Sequence, residues 1–254
     1  MEKPKTADGM LAKGLRILIA LADHPDGEGV SQLAREVGVP VSTAHRLLGG
    51  MMPLGFVSFE PERRRYHLGL RMFELSQRVA SRRRLSDVAG PAMQRAVKAS
   101  GETTLLAVRA GEELVYVERV EGQHLAQIVG YPGERHGWLH CTALGKSLLA
   151  FLPAEEQEEL IDRLRLERLT PRTITDPNRL REELALSRER GYAVNDEELE
   201  EGICAIGVPI MDSRGRPVAS MSIATLTFRY LAKELEQFVP LLLKDTREIS
   251  MQLQ

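Results

Sequence analysis

The sequence predicts an α+β chain in two parts: an N-terminal winged helix-turn-helix, then a linker helix leading into a larger mixed α/β domain. Three observations predict it. Apolar residues recur at helical spacing through the first fifty positions, interrupted by Gly- and Pro-containing turns. Two short β-type runs then flank EPERRR, as in a hairpin with a basic tip. Charge also divides along the chain: residues 1–84 carry 14 Lys/Arg against 9 Asp/Glu, and residues 85–254 carry 20 against 27. A basic module at +5 joined to an acidic remainder at −7 suits a polyanion binder attached to something else.

Each element follows in order. Leu11, Leu15, Leu18, Ile19 and Ala22 share helical spacing, so residues 10–23 read as an amphipathic helix. HPDGEG (24–29) is a turn. A short helix follows with Ser31 as its candidate cap and Leu33, Ala34 and Val37 inward, and Gly38 breaks it. Pro40 opens the next helix, where Ser42 or Thr43 can satisfy the orphan amides. Two short helices about a tight Gly turn form a helix-turn-helix. GFVSF and YHLG are the hairpin strands, with Arg63, Arg64 and Arg65 at the tip.

Residues 1–69 are therefore expected as one domain, 70–85 as a linker helix, and 86–254 as the second domain. The linker's far end is basic (Arg82, Arg83, Arg84), and a helix over Ser86–Ser100 is expected to kink near Pro91. TTLLAVRAG and ELVYVERV alternate as strands. The stretch 143–190 is mostly helical, strands return at 192–195, 205–211 and 217–224, and a helix closes the chain from about Leu231 to Leu253. The sheet is expected to lean antiparallel.

Composition narrows the function classes. The chain has 254 residues, 43% hydrophobic and 28% charged, with no apolar run near the roughly 18 residues of a membrane span. MEKPKTADGM lacks the apolar core of a secretory signal, and two cysteines fit a reducing compartment. A cytoplasmic protein without a membrane partner is expected.

Taken in sequence, GLRILIAL, SQLAREVGVPVSTAHRLL, the wing ending in YHLG, SGETTLLAVRAG, HCTALGKSLLAFLP, LTPRTITDPNRLREEL and RGYAVNDEELEEGICAIGVPIMDSRGRPVASMSIA resemble the IclR family of bacterial transcriptional regulators. The resemblance covers nearly the whole chain. It implies a winged helix-turn-helix followed by a GAF-like effector-binding domain; no cofactor, metal or catalytic residue is expected. It also implies a homodimer or a dimer of dimers on a palindromic double-stranded operator, with a small metabolite altering DNA affinity.

The helix from Pro40 divides into two faces at about 100° per residue. Ala44, Leu47, Leu48 and Met51 fall on the core side, and Ser42, His45, Arg46 and Gly49 on the other. An exposed recognition helix sets its N-terminal residues against base edges or phosphates. Ser31, Ser42, Thr43, His45, Arg46 and Gly49, with Arg63, Arg64 and Arg65 on the wing, are the candidate DNA-facing residues.

In the second domain, CTALGK places the amides of Ala143, Leu144 and Gly145 at a helix start, where a carboxylate is favoured. Family members that take small oxo-acids are expected to use an acidic residue, a cysteine and two serines. The matching positions here are Asn195 or Asp196, Ala205, Ser222 and Ala224, with Cys204 and Ser220 beside them. Two polar positions have become alanine, and Cys204, one residue from the matching position, would face the other way on an alternating strand. That departure points from a glyoxylate- or pyruvate-like effector toward an aromatic or longer-chain acid; simple packing of the alanines is the alternative.

Cys141 beside His140 raises a nucleophile reading, but neighbours on an extended segment point apart. His136, His140, Cys141 and Cys204 match no closed zinc spacing. Two competing functions remain distinguishable by test: an enzyme with a DNA-binding appendage, which needs an acid–base or nucleophile set, and a second domain that only oligomerises.

Overall fold

The computed structural model describes residues 9–78 and 80–253, with the side chains of 76–84 excepted; the basic stretch Arg82–Arg84 falls on that exception. The chain divides into two compact units, residues 1–80 and 81–254.

In the first unit, α1 (Met10–Ala22), α2 (Val30–Val37) and α3 (Val41–Met51) precede a hairpin of β1 (Val57–Glu60) and β2 (Arg65–Leu68), and α4 (Leu70–Arg78) follows. The three helices and the hairpin close on Ile17, Leu21, Leu33, Ala44, Leu48, Val57 and Tyr66. Fully burying a large apolar side chain of this kind contributes about 1.5–3 kcal/mol. The turn between α2 and α3 depends on Gly38, which caps α2 at φ 69°, a left-handed conformation that glycine adopts without steric cost. Glu28 and Tyr66 exchange backbone hydrogen bonds of 2.9 Å, tying the α1–α2 turn to β2.

Two local expectations need correction. Helix α1 buries Gly14, Ile17, Leu18 and Leu21, whereas Leu11, Leu15 and Ile19 stand exposed. The helix is apolar around much of its circumference, so periodicity located it without choosing the inner face. The caps also differ: Gly29 occupies the N-cap of α2 and Pro40 that of α3, and neither helix has a side-chain cap. Ser31 and Ser42 are therefore exposed helical residues rather than caps.

The second unit is a six-stranded sheet in the order β5-β4-β3-β8-β7-β6, antiparallel at every pairing. Its strands are β3 (Thr103–Ala110), β4 (Glu113–Val120), β5 (Arg135–His136), β6 (Ala193–Asp196), β7 (Ile203–Met211) and β8 (Pro217–Leu226). The hairpin DSRGR joins the last two, with Asp212 accepting from the Arg214 and Arg216 amides. Helix α5 (Ala80–Ser100), with Pro91 inside it, begins earlier than Ser86. The closing segment is split into α9 (Ala232–Leu235), a 3-10 turn and α10 (Val239–Leu253).

Period-2 alternation separates two cores. Cys204, Ile206, Val208 and Ile210 of β7, with Met221 and Ile223 of β8, meet Met93 of α5 and Leu242 of α10. Ala205 and Ala224 turn to the opposite face, which α6 (Ala143–Ala150), α7 (Ala154–Arg163) and α8 (Pro177–Arg190) cover. Helix α6 lies directly on β7 at Gly207, where an added Cβ would stand 2.5 Å from the Ala143 carbonyl oxygen. Among the described residues, no helix is long and apolar enough to cross a membrane.

Candidate functional site

Helix α3 presents a sharp division. Ala44 and Leu48 are buried and Leu47 and Met51 half-buried, while Ser42, His45 and Arg46 are exposed; Thr43 and Gly49 are half-buried. The Thr43 and Ala44 amides donate to the Pro40 carbonyl at 2.9 and 3.0 Å. Arg46 reaches back to the Met10 sulfur of α1 at 3.7 Å. Gly49 and Gly50 lie within α3 and leave open space where a side chain would stand. Ser31 is exposed on α2.

The three hairpin arginines differ from one another. Arg63 is 71% exposed, with Glu60 beside it at 3.6 Å. Arg64 is exposed and takes φ 53° at the tip. Arg65 instead donates to the Asp26 and Gly27 carbonyls, both at 3.2 Å, so its guanidinium pins the hairpin to the α1–α2 turn. The sequence treats the three alike; the fold uses one as a fastener.

A cavity of about 730 Å³ opens on the α6 side of the sheet. Asn195 of β6, Ala205 of β7, Ser222 and Ala224 of β8, Leu105 of β3 and Tyr116 of β4 line its floor. Ala143 and Leu144 at the head of α6 line its roof. Their amides donate to no described group, because Thr142 caps only the next one: its Oγ1 accepts from Gly145 N–H at 3.0 Å and donates to the Trp138 carbonyl at 2.9 Å. The amide of Gly145 is thus already used, which corrects its expected place in a trio of free donors.

Among the other expected cavity residues, Asn195 and Asp196 separate. Asn195 is 2% exposed and its Oδ1 accepts from the Glu198 amide at 2.9 Å, leaving Nδ2 as its free donor. Asp196 lies off the cavity, bonded to Arg172 at 2.6 Å and to the Cys204 thiol at 3.5 Å. Cys204 packs in the opposite core. Ser220 lies deeper, 2.5 Å from Ser147 Oγ of α6. Neither Cys204 nor Ser220 lines the cavity.

An aromatic wall stands across from α6. His136 stacks on Trp138 with ring centroids 4.8 Å apart and meets Tyr116 edge-on at 5.4 Å. Gln127, Glu134 and Glu200 add polar groups, and no Lys or Arg is among the described lining residues. Sequence reasoning missed this wall. HGW sets His136 close to Trp138, the single Trp of the chain, but Tyr116 comes from ELVYVERV upstream, so the sequence does not gather the three.

Behind the cavity, Lys146 of α6 is 1% exposed and pairs with Glu198, with Glu183 at 3.7 Å. Burial raises the Glu198 carboxyl above its ordinary range, against the opposing pull of Lys146. Because Glu198 N–H also holds Asn195, this buried charge pair fixes the carboxamide that faces the cavity.

The nucleophile reading of His140–Cys141 has a different premise from the one expected, since residues 139–141 form a turn rather than an extended segment. Both side chains are buried. Burial pushes the Cys141 thiol up to about 12, and burial lowers the His140 imidazole, whose Nε2 lies 3.0 Å from the Glu167 carbonyl. A buried thiol held protonated is inert. Among the described residues, no group of three or more His, Cys, Asp or Glu side chains could hold a metal.

Comparison with known proteins decides the lineage. The family model for the bacterial transcriptional regulator IclR C-terminal region matches residues 77–251, and that for the IclR helix-turn-helix domain matches residues 10–61. The chain belongs to the IclR family. The HTH-type transcriptional regulator KdgR of Escherichia coli is 31% identical over 253 residues, spanning 100% of this chain and 95% of that relative. The crystal structure of Thermotoga maritima IclR is 36% identical at a TM-score of 0.77, covering 96% of this chain and 98% of that one. An IclR homolog from Microbacterium hydrocarbonoxydans, complexed with 4-hydroxybenzoate, is 29% identical at a TM-score of 0.85 and covers 96% and 99%. Like these IclR relatives, the chain is a DNA-binding transcriptional regulator with a C-terminal ligand-binding domain, not an enzyme.

Proposed function

We propose that this chain is a cytoplasmic regulator that grips a palindromic operator through Ser42, Thr43, His45 and Arg46 of α3 and through Arg63 and Arg64 of the wing. A small aromatic acid in the cavity controls that grip. The observation that carries the reading is the cavity itself: two open amides and the Asn195 Nδ2 at one end suit a carboxylate, and Tyr116, His136 and Trp138 suit a ring. A compact oxo-acid is less well served, because Ala205 and Ala224 supply it no side-chain hydrogen bonds. The relative complexed with 4-hydroxybenzoate supports the same ligand class.

The working form is a homodimer or a dimer of dimers. Support comes from α1, whose Leu11, Leu15 and Ile19 form an exposed apolar stripe, 77%, 51% and 66% open. A palindromic operator calls for two such domains. Where the operator overlaps a promoter, occupancy excludes polymerase, so the proposed mode is repression relieved by the acid.

A thermal-shift series tests the ligand class. Benzoate and 4-hydroxybenzoate are expected to raise Tm in a concentration-dependent way, since a ligand selective for the native state stabilises it. A rise with glyoxylate or pyruvate and none with the benzoates would overturn the reading.

A further inference from the structure

The cavity has two polar ends on different strands of the sheet. One end is the head of α6 with Asn195 Nδ2 and Ser222, whose hydroxyl takes no hydrogen bond from a described residue although Ser222 is only 1% exposed. The other is Tyr116 on β4, 7% exposed and likewise without a described partner for its hydroxyl, next to Glu134. The strands carrying Ser222 and Tyr116 are two spacings apart in the order β8-β3-β4, roughly 9–10 Å. Leu105 lies between them. Both residues line the cavity, so a ligand can take the place of water as the partner of either hydroxyl.

The two ends differ in chemistry. The α6 end offers donors: two amides, a carboxamide N–H and a hydroxyl. The Tyr116 end offers the Glu134 carboxylate, which only accepts, the Tyr116 hydroxyl, which does both, and the His136 imidazole, whose Nε2 lies 3.9 Å from Glu134 Oε2. Glu134 Oε2 accepts from the Tyr131 amide at 2.9 Å, which holds the carboxylate on the cavity wall. Burial and then Glu134 push the Tyr116 phenol up to about 12, so it stays neutral near pH 7. A ligand carboxylate at that end would meet like charge.

We propose that the cavity selects a ligand with two distinct ends: a carboxylate at the head of α6, and a hydrogen-bond donor, a phenolic hydroxyl or an aryl amine, against Tyr116 and Glu134. The inference rests on the aromatic-acid reading above and adds which substituent the ring carries and which way it points. Donation to the Glu134 carboxylate beside the buried Tyr116 hydroxyl supports discrimination of about tenfold against a ligand lacking the donor.

Isothermal titration of the full chain with benzoate, 4-hydroxybenzoate, 4-aminobenzoate and 4-methoxybenzoate tests it. The hydroxyl or the amine is expected to bind at least about tenfold tighter than benzoate, and the methoxy compound, which can only accept, no tighter. The order of hydroxyl and amine identifies the preferred donor. In Glu134→Gln and in Tyr116→Phe, the affinity ratio of the better donor to benzoate is expected to fall toward one. Glu134 is half-exposed, so its variant keeps the test open if Tyr116→Phe folds poorly. Equal binding of benzoate and both donors by the parent protein, or an unchanged ratio in both variants, overturns the proposal while leaving the aromatic-acid reading intact. Binding of none of the four overturns both.

Discussion

Lys146 and Glu198 form an ion pair in which both side chains are withdrawn from water, at 1% and 9% exposure. The pair joins α6 to the segment after β6 and, through the Glu198 amide, positions Asn195 in the cavity. A folded pKa raised above the unfolded one means that the native state keeps its proton to higher pH. Glu198 therefore contributes most below the ordinary carboxylate value, and its contribution falls as pH rises through the raised one. Lys146→Met strands the carboxylate in the core, at a cost of about 3–5 kcal/mol. Thermal melts across pH should show the deficit of the variant largest near pH 8 and shrinking toward pH 5. A deficit independent of pH would contradict this account.

The hairpin arginines should separate by experiment. Arg63→Ala and Arg64→Ala are expected to leave Tm near the parent value and each to lower the salt slope of operator binding by about one. Arg65→Ala is expected to lower Tm instead, because it releases the Asp26 and Gly27 carbonyls. Arg46→Ala should weaken operator binding by about 1–3 kcal/mol without a change in Tm. Anisotropy titrations at several salt concentrations, paired with melts, distinguish the cases.

Gly49 offers a test in which stability and binding move in opposite directions. A methyl there meets open space, so Gly49→Ala is expected to stabilise the helix by up to about 1 kcal/mol. If α3 approaches the phosphate backbone at this point, the larger Gly49→Leu loses operator affinity despite a sound fold. Unchanged affinity in Gly49→Leu would remove the close-approach role.

Both thiols should be silent in the native state. Burial pushes Cys141 up to about 12 and Cys204 up to about 11. At pH 8 roughly one in ten thousand and one in a thousand would be thiolate. A thiol-reactive disulfide reagent is expected to label neither until denaturant is added. Rapid labelling of the folded chain would revive Cys141 as a nucleophile.

Much of this arrangement was legible from residue spacing, and the exceptions have physical causes. Gly38 marked the helix-turn-helix because a left-handed cap leaves a glycine behind. Alternation along β7 correctly set Ala205 against Cys204, because burial on both faces still obeys the pleat. The inner face of α1 was illegible because Leu11, Leu15 and Ile19 are as apolar as the residues that are buried. The caps misled because Gly29 and Pro40, each two residues upstream of its serine, start the helices by backbone geometry alone. The aromatic wall was hidden because His136 sits on a two-residue strand, too short for any period to register. Lys146 and Glu198 lie 52 residues apart in sequence, and only the fold sets one against the other.

The central claim is that an aromatic acid in the cavity changes the grip of α3 and the wing on DNA. Its most direct test is the affinity of the full chain for a labelled operator, isolated by the protein itself from random-sequence duplexes, with and without saturating 4-hydroxybenzoate at fixed salt. The account predicts that the acid shifts Kd by about tenfold, a coupling of roughly 1.4 kcal/mol. An identical Kd in both conditions, with the acid demonstrably bound, would contradict it.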